Sequence, residues 1–271
     1  MGRIETNTIS GQILREAMSN SSGHIIAVNP AKVGVRQIVQ EILESKSWTP
    51  VKVFATKDAL EASLSEFLIA SRTADLINNG QLEIAYLDAE NETELLMSKE
   101  KVIIPISENA FTVVTASEDN TVGELYEEFS HRFESATQHK LRTPALSSIQ
   151  ESLADEVGQS VRADLESVLD SEVALTGESG SLNIVELMVL LAARNRAENY
   201  TISKWGEDVG IASRATFSRT KKSLEEGGLI ATEKIPQEIG RPRLRLLLAT
   251  EELKEYSPVE LAKQAPSQLN S

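Results

Sequence analysis

The sequence predicts an α/β N-terminal domain, with a mainly parallel sheet and helices on both faces, and a C-terminal domain of three helices and a hairpin. The first prediction depends on short apolar runs that alternate with amphipathic stretches over residues 1–140, as is typical of parallel sheets. The second depends on three helical stretches that precede two strand-like runs over residues 181–250. A chain of 271 residues is long enough for both domains to have their own cores.

Five apolar runs predict the strands of the N-terminal domain, and the stretches between them predict helices. The predicted strands are residues 24–28, 51–55, 82–87, 102–106 and 111–116. After the first run, Val35, Ile38 and Ile42 recur at helical spacing, so a strand followed by a helix is the repeating unit. The last two runs are separated only by the turn sequence SENA, which predicts an antiparallel hairpin.

Residues 145–175 predict a helical segment that joins the two domains. Its apolar side chains fall on one line, which suits helix-on-helix pairing. They are Ile149, Leu153, Val157, Val161, Leu165 and Val168. Two alternatives stay open, because this stripe suits either a dimerisation helix between two chains or a helix that folds back on its own N-terminal domain. TGESGS at residues 176–181 then predicts a flexible joint, and residues 251–271 predict a C-terminal helix and tail.

The chain is organised around SRATFSRTKKSLEEGGLI, residues 213–230. Ser213 is suited to cap a helix, and Gly227 with Gly228 supplies its left-handed stop. At about 100° per residue, one side of this helix carries the core-seeking Phe217, Thr220 and Leu224. The other side carries Arg214, Ala215, Ser218, Arg219, Lys221 and Lys222. One face therefore predicts a buried contact, and the other predicts an anionic partner.

The flanking stretches complete a winged helix-turn-helix domain over residues 181–250. A long apolar helix at residues 183–199 predicts a packing platform, and residues 202–211 predict a short helix that ends in a tight turn. Two strand-like runs follow, and Gly240 with Pro242 fixes the tip between them. Arg241 and Arg243 project from this tip, which identifies the hairpin as a basic wing.

The distribution of charge favours DNA as the partner of this domain. Residues 181–249 carry 11 basic and 8 acidic side chains, whereas the rest of the chain carries 16 basic and 33 acidic ones. Positive charge is thus concentrated locally in a chain of net charge −14. Two explanations of the acidic surplus stay open: a salt-loving organism, in which an acidic surface keeps proteins hydrated, or an ordinary acidic sensory domain.

The string SKWGEDVGIASRATFSRTKKSLEEGGLIATEKIPQEIGRPRLRL resembles winged helix-turn-helix transcription regulators, and the haloarchaeal TbsP-type regulators in particular. The resemblance implies a recognition helix in the major groove of double-stranded DNA, with Arg214, Ser218 and Arg219 near base edges. Lys222 then faces phosphate, and the wing arginines reach the minor groove or the backbone. The predicted DNA-binding residues are Ser213, Arg214, Thr216, Ser218, Arg219, Lys221, Lys222, Arg241 and Arg243. The resemblance also implies a salt-loving organism and control of central carbon metabolism, with sugar or nutrient state as the signal.

The N-terminal domain, which ends with the helix TVGELYEEFSHRFESA, resembles in layout the phospholipase-D-like sensor domains found beside archaeal winged helices. The hydrolytic form of that fold needs His-x-Lys with a downstream Asp, and none of His24, His131 and His139 has this spacing. The chain also lacks cysteine, a Gly-x-Gly-x-x-Gly or P-loop sequence and a His-Glu-x-x-His motif. We therefore predict no catalytic residue, no cofactor and no metal.

Small ligands of parallel sheets bind outside the carboxyl ends of the strands, where this sequence places Asn29, Thr56 and Lys57. For a sugar or phosphorylated effector, Thr56 and Lys57 near a helix N-terminus are the first candidates. The alternative is that Thr56 is only a helix cap and Lys57 only a solvated lysine.

We expect a cytoplasmic, homodimeric transcription regulator that binds double-stranded DNA sequence-specifically and responds to metabolic state through its N-terminal domain. No apolar run approaches the length of a membrane span, and MGRIETNTISGQ lacks the pattern of a secretory signal. Two other classes stay open. One is an enzyme that acts on a phosphorylated metabolite while tethered to DNA, and the other is a docking scaffold that does not bind nucleic acid.

Overall fold

The computed structural model describes residues 14–17, 21, 23–31, 34–44, 49–88, 93–107, 110–115, 120–171, 173, 175, 180–236 and 242–269. The chain forms two compact units, residues 1–142 and 143–271. The predicted fold class, an α/β N-terminal domain followed by a winged helix-turn-helix domain, is confirmed. Among the helices of the described residues, none combines the length and the apolar character needed to cross a membrane.

A six-stranded sheet forms the centre of the first unit. Its strands are β1 (Ile25–Val28), β2 (Val51–Ala55), β3 (Leu82–Tyr86), β4 (Leu95–Met97), β5 (Lys101–Ser107) and β6 (Ala110–Thr115). Their order is β3-β2-β1-β4-β5-β6. The first three strands pair in parallel, as the strand-and-helix repeat requires, whereas β4, β5 and β6 pair in antiparallel ladders. Because β4 is antiparallel to both β1 and β5, β5 runs in the same direction as β1.

Helices cover both faces of this sheet. They are α1 (Val35–Glu44), α2 (Lys57–Ser63) and α3 (Phe67–Asn78) on one face and α4 (Thr121–Ser135) on the other. Successive side chains of a strand point to opposite faces, so Ile25 and Ala27 join the α1–α3 cluster. Ile26 and Val28 join the cluster under α4, which contains Phe129 and Phe133. The continuous apolar run of β1 is therefore buried on both sides.

The second half of the sheet contains one strand that the sequence did not predict. β4 has only three residues, too few to show a period of two, and it pairs with β1 through Ala27 and Leu96. The predicted hairpin after it is confirmed, since Ile103 of β5 pairs with Val113 of β6. β4 therefore connects the parallel strands to this hairpin.

The second unit contains seven helices and two strands within the described residues. They are α5 (Leu146–Glu156), α6 (Gln159–Leu169), α7 (Ile184–Arg194), α8 (Asn199–Asp208), α9 (Arg214–Glu226), β7 (Ile230–Ile235), β8 (Arg243–Leu248), α10 (Glu251–Glu255) and α11 (Pro258–Leu269). The predicted platform is α7, whose side chains from Leu187 to Ala193 are all buried. The helices α8 and α9 and both strands pack against it.

The predicted joining segment of residues 145–175 forms two helices, α5 and α6, instead of one. They meet at Gly158, whose φ of 148° few other residues adopt. The predicted stripe, except Val157, is buried inside the second unit. Trp205 Nε1 of α8 donates to Ser152 Oγ of α5 at 3.0 Å, and Asn195 Nδ2 donates to Asp164 of α6 at 2.6 Å. The stripe therefore packs within the second unit, on α7 and α8, in place of both predicted partners.

The C-terminal residues also belong to the second unit. Leu253 of α10 and Leu261 and Ala265 of α11 are buried, and α11 packs against α6. The helix continues to Leu269, so most of the predicted tail is helical. The predicted flexible joint lies mostly at residues 176–179, which are outside the described residues.

Candidate nucleic-acid interface

The turn between α8 and α9 holds these two helices in close contact. A Cβ added to Gly206 would lie 2.2 Å from Phe217 Cζ, so only glycine admits the ring at this crossing. The amides of Ile211 and Ala212 donate to the Gly206 carbonyl at 2.9 and 3.3 Å, and Gly210 has a φ of 84°. These contacts give the short, rigid turn that the sequence predicts for a helix-turn-helix unit.

The helix α9 begins and ends where the sequence predicts. Ser213 is the N-cap, and its hydroxyl accepts from the Thr216 amide at 3.2 Å. At the other end Leu229 N donates to Leu224 O at 3.0 Å, and Gly228 has a φ of 69°. Gly227 keeps an ordinary φ of −76°, so the left-handed stop belongs to the second glycine alone.

The two faces of α9 differ as the sequence predicts. Phe217 and Leu224 are buried under the helix. The exposed residues of α9 are Arg214, Ala215, Ser218, Arg219, Lys222, Ser223 and Glu226. Arg219 lies along the helix surface, where its guanidinium donates to Ala215 O and Thr216 Oγ1, each at 3.4 Å. The first two turns of the outer face therefore present small side chains between cations.

The strands β7 and β8 form the predicted wing. They pair in register from Ile230 with Leu248 to Ile235 with Arg243. Leu246 N donates to Ala197 O at 2.9 Å, which ties the wing to the segment before α8. Arg243 is the first residue of β8 and thus lies at the outer end of the ladder. Arg241 and Gly240 of the predicted tip lie outside the described residues.

Tyr200 lies between an arginine of α9 and an arginine of the wing. Its ring centre lies 5.7 Å from the guanidinium carbon of Arg214 and 5.5 Å from that of Arg243, both within cation–π range. The side chain is 47% exposed. A groove of about 350 Å³ runs beside it, lined by Asn199, Tyr200, Pro242, Arg243 and Leu244. The two arginines, which are 29 positions apart in the sequence, therefore share one surface.

Sequence reasoning did not include Tyr200 among the site residues. It lies two positions before the predicted second helix of residues 202–211, whereas in the structure it is the second residue of α8. An aromatic residue just before an amphipathic stretch, off the apolar line of Ile202, Trp205 and Val209, was the available signal.

Both arginines are paired with carboxylates but remain accessible. Arg214 Nε lies 2.7 Å from Glu207, and Arg243 Nη1 lies 2.8 Å from Glu198. Their side chains are 45% and 47% exposed. Ion pairs this exposed contribute only about 0.2–1 kcal/mol, so a DNA phosphate can replace the carboxylate. Lys222 is likewise exposed and lies 3.4 Å from Glu226.

Lys221 departs from the predicted DNA-facing set. Its side chain is only 15% exposed, and its ammonium lies 2.7 Å from Glu225. Glu225 also accepts from Thr232 Oγ1 of β7 at 3.0 Å. Glu225 therefore joins α9 to the wing, and Lys221 pairs with it on the same helix. The prediction was wrong about its side because position 221 lies at the border between the polar and apolar faces, where Glu225 one turn later attracts it.

Nearby cations on α8 and at the end of α7 are also paired. A hydrogen bond from Lys204 to Asp208 raises the pKa of the lysine above its ordinary value. Arg196, in a left-handed conformation with φ of 56°, lies 3.5 Å from Glu233 of the wing. Most of the described cations around the interface thus have a carboxylate partner, whereas Arg219 donates to Ala215 O and Thr216 Oγ1.

Family models match the chain along almost all of its length. Residues 4–144 match the model for the transcriptional regulator TbsP-like N-terminal domain, and residues 145–266 match that for the TbsP-like C-terminal HTH domain. The chain belongs to the TbsP-like transcriptional regulators. The match to the TbsP-like HTH-domain model begins at residue 145 of this chain. The matched region therefore includes α5 and α6 as well as α8 and α9.

Other comparisons with this TbsP-like chain are more distant. TrmBL2, an archaeal chromatin protein whose structure shows a novel mode of DNA binding, is 21% identical with a TM-score of 0.36. The similar region covers 48% of this chain and 49% of that one, so the chain spans about half of TrmBL2. No curated protein matches the chain.

The predicted effector residues of the TbsP-like N-terminal domain lie just beyond the carboxyl ends of β1 and β2. Val28 pairs with Phe54, so Asn29 and Thr56 follow neighbouring parallel strands. Thr56 Oγ1 accepts from the Ala59 amide at 3.4 Å and caps α2, as the alternative reading expects. Lys57 is exposed and lies 3.6 Å from Glu61. Among the described residues, no group of three or more His, Asp or Glu side chains is placed to hold a metal ion.

His139 lies beside the same part of the sheet. Its Nδ1 lies 2.7 Å from the Tyr86 hydroxyl, and its backbone N–H donates to Ile84 O of β3 at 2.8 Å. Burial lowers the pKa of His139 below its ordinary 6.5, and this effect exceeds the opposing attraction of Glu61. His139 is therefore a neutral, structural histidine at the edge of the sheet.

Proposed function

We propose that this regulator binds double-stranded DNA sequence-specifically, with α9 in the major groove and the wing on the adjacent backbone or minor groove. Arg214, Ser218 and Arg219 are the residues that approach base edges, and Lys222 approaches phosphate. The observation that carries this proposal is the shared surface of Arg214 and Arg243 on either side of Tyr200. A recognition helix and a wing that present cations to one surface suit a single stretch of duplex.

The approach of α9 to DNA is supported by its exposed side chains. Ala215 and Ser218 are small and lie between Arg214 and Arg219, so the helix can enter a groove about 12 Å wide. Ser213 and Thr216 are occupied in capping, and their hydroxyls lie 3.1 Å apart. They are placed at the helix N-terminus, where exposed amides also favour phosphate.

The test is a titration of operator DNA with arginine variants at matched salt. Replacing Arg219 and Arg241 together with alanine is expected to weaken specific binding by at least about tenfold, because a bidentate base contact contributes about 1–3 kcal/mol. Arg162→Ala is the control, since that arginine pairs with Glu166 on α6 at 2.8 Å. Equal affinities for the double variant and this control would remove the assignment and favour a docking scaffold.

We also propose that the N-terminal domain senses metabolic or nutrient state through a small sugar or phosphorylated effector and performs no catalysis. The support is the common edge at which Asn29, Thr56 and Lys57 follow β1 and β2. Effector-dependent stabilisation is measured by thermal unfolding with sugar phosphates, for wild type and Lys57→Ala. A Tm that no sugar phosphate raises, or that rises equally in both proteins, argues against this site.

We propose a cytoplasmic homodimer in a salt-loving archaeon that regulates genes of central carbon metabolism. Mapping of bound genomic sites with and without glucose tests this. Sites that lie away from such genes, or an occupancy that ignores glucose, would contradict it.

A further inference from the structure

The exposed apolar side chains of the described residues are concentrated on the β5–β6 hairpin. Five large hydrophobic side chains are exposed in the described part of the chain, and three of them are Ile106, Val113 and Val114. Their exposed fractions are 61%, 38% and 47%. Single exposed hydrophobic residues are ordinary, but a group on one hairpin marks a contact surface.

The outer strands of the sheet, β3 and β6, differ in whether another segment covers their free side. The outer side of β3 is covered by residues 137–139, since Tyr86 N donates to Thr137 O at 2.9 Å and Ala85 forms a bridge with Gln138. The outer side of β6 pairs with no strand of the described residues. β6 therefore offers a row of backbone donors and acceptors on which another strand can add.

β6 also lacks the features that protect open edges. Its sequence AFTVVT contains no charged residue and no proline. Val113 and Val114 point to opposite faces, so apolar surface is exposed on both sides of the strand. Lysine, proline and inward-pointing charges are the usual devices against strand addition, and none of them is present in these six residues.

We propose that the outer edge of β6 is the surface on which two copies of this chain pair, strand against identical strand, in an antiparallel dimer. The lack of charge on β6 favours a second copy as the occupant. Identical strands that pair place like side chains opposite each other, so a charged strand would repel its own copy whereas AFTVVT does not. Two identical strands in antiparallel register are self-complementary about a twofold axis, which closes the assembly at two subunits.

This inference adds a specific surface to the proposed homodimer. The apolar stripe of α5 and α6, the other dimer surface indicated by the sequence, is buried within the second unit. The β6 edge belongs to the first unit, so strand pairing leaves the residues of α9 and the wing unaltered. Loss of the dimer and loss of DNA binding can therefore be measured separately.

The first test is the mass of the full chain in solution, measured by light scattering at micromolar concentration. Wild type is expected at twice 29.7 kDa, and the double variant Val113→Lys with Val114→Lys at 29.7 kDa, because lysines on both faces oppose their symmetry mates. Leu43→Lys is the matched control, since Leu43 of α1 is 43% exposed but lies outside the hairpin. Circular dichroism confirms that each variant is folded.

Each result of the mass measurement either supports or overturns β6 as the dimer surface. A monomeric wild type overturns the proposal, and so does a lysine variant that stays dimeric. A monomeric lysine variant beside a dimeric Leu43→Lys supports it. Binding of each protein to a single half-site of operator DNA is measured in parallel, so failure of DNA binding is seen independently of the mass.

A second test uses the absence of cysteine from the chain. Single cysteines at Thr112, Val113 and Val114 are compared with Leu43→Cys under mild oxidation. Opposite residues of antiparallel strands lie about 4.5–5.5 Å apart, within the Cα separation of a disulfide. Cross-linking is expected for at least one β6 position and much more slowly for position 43. Equal rates at all four positions would overturn the proposed pairing and place the contact elsewhere.

Discussion

Arg214 and Arg243 carry positive charges that are neutralised in the free protein. Glu207 and Glu198 lie 2.7 and 2.8 Å from them. When an arginine binds phosphate, the DNA releases a bound cation, but the carboxylate left behind takes one up. The two effects oppose each other, so the proposed contacts of Arg214 and Arg243 with DNA would depend little on salt. Such contacts would let a protein of net charge −14 bind a polyanion without a large basic patch.

Removing these carboxylates is expected to change the salt dependence of DNA binding. Glu207→Gln and Glu198→Gln should each bind DNA more tightly at low salt, and each should steepen the slope of log K against log salt by about one. Fluorescence anisotropy over a salt series measures this. Glu251→Gln is the control, since Glu251 pairs with Lys254 on α10. Slopes that equal the wild-type slope would show that the carboxylates take up no cation.

His139 makes the stability of the first unit depend on pH. Its lowered pKa means that the unfolded chain binds a proton below 6.5 while the folded chain still resists it. Stability is therefore unaffected by this group above 6.5 and falls as pH decreases from 6.5 toward the lower folded pKa. The urea midpoint of wild type should fall over this window more than that of His139→Gln. His131→Gln, on the exposed side of α4, should behave as wild type. Parallel pH profiles for wild type and His139→Gln would contradict this.

At the scale of elements, the close crossing of α8 and α9 depends on Gly206, which has no side chain to clash with Phe217. Gly206→Ala places a Cβ 2.2 Å from Phe217 Cζ, so the helices must move apart. We expect a loss of roughly 1–3 kcal/mol in the free energy of unfolding, and weaker DNA binding because α9 is displaced. Denaturant titration measures the loss.

Phe217→Leu removes the clashing ring atoms and supplies the control for that prediction. In the double variant the losses should be less than the sum of the two single losses, because the substitutions relieve each other. Additive losses would show that the close contact does not set the crossing.

The sequence predicted the elements in which apolar residues recur with a clear helical or strand period. It failed where the element is short or the period is ambiguous. The caps of α9 were predictable because Ser213 and the glycine stop act locally. β4 was missed because three residues show no alternation, and the break at Gly158 was missed because the apolar line continues across it. Lys221 was assigned to the DNA-facing side of α9 because its pairing with Glu225, one turn later on the same helix, was not considered, and only the folded chain brings Glu225 to Thr232 of the wing.

At the scale of the whole molecule, the proposed twofold dimer would impose symmetry on the operator. Its two copies of α9 would then bind half-sites about 10–10.5 bp apart, or a multiple of this spacing, on one side of the duplex. Inserting about five base pairs between the half-sites should reduce affinity at least tenfold, and inserting about ten should restore part of it. The Val113→Lys, Val114→Lys variant should be insensitive to both insertions. A wild type that tolerates the shorter insertion would indicate that each chain binds alone.

The buried indole of Trp205 also has a practical use. The chain has two tryptophans, one at position 48 in the range of the first unit and this one in the second. Because the Trp205 ring is fully enclosed and bonded to Ser152, its emission should shift to longer wavelength when the DNA-binding unit opens. Replacing either tryptophan with phenylalanine thus leaves a fluorescent probe of one unit at a time.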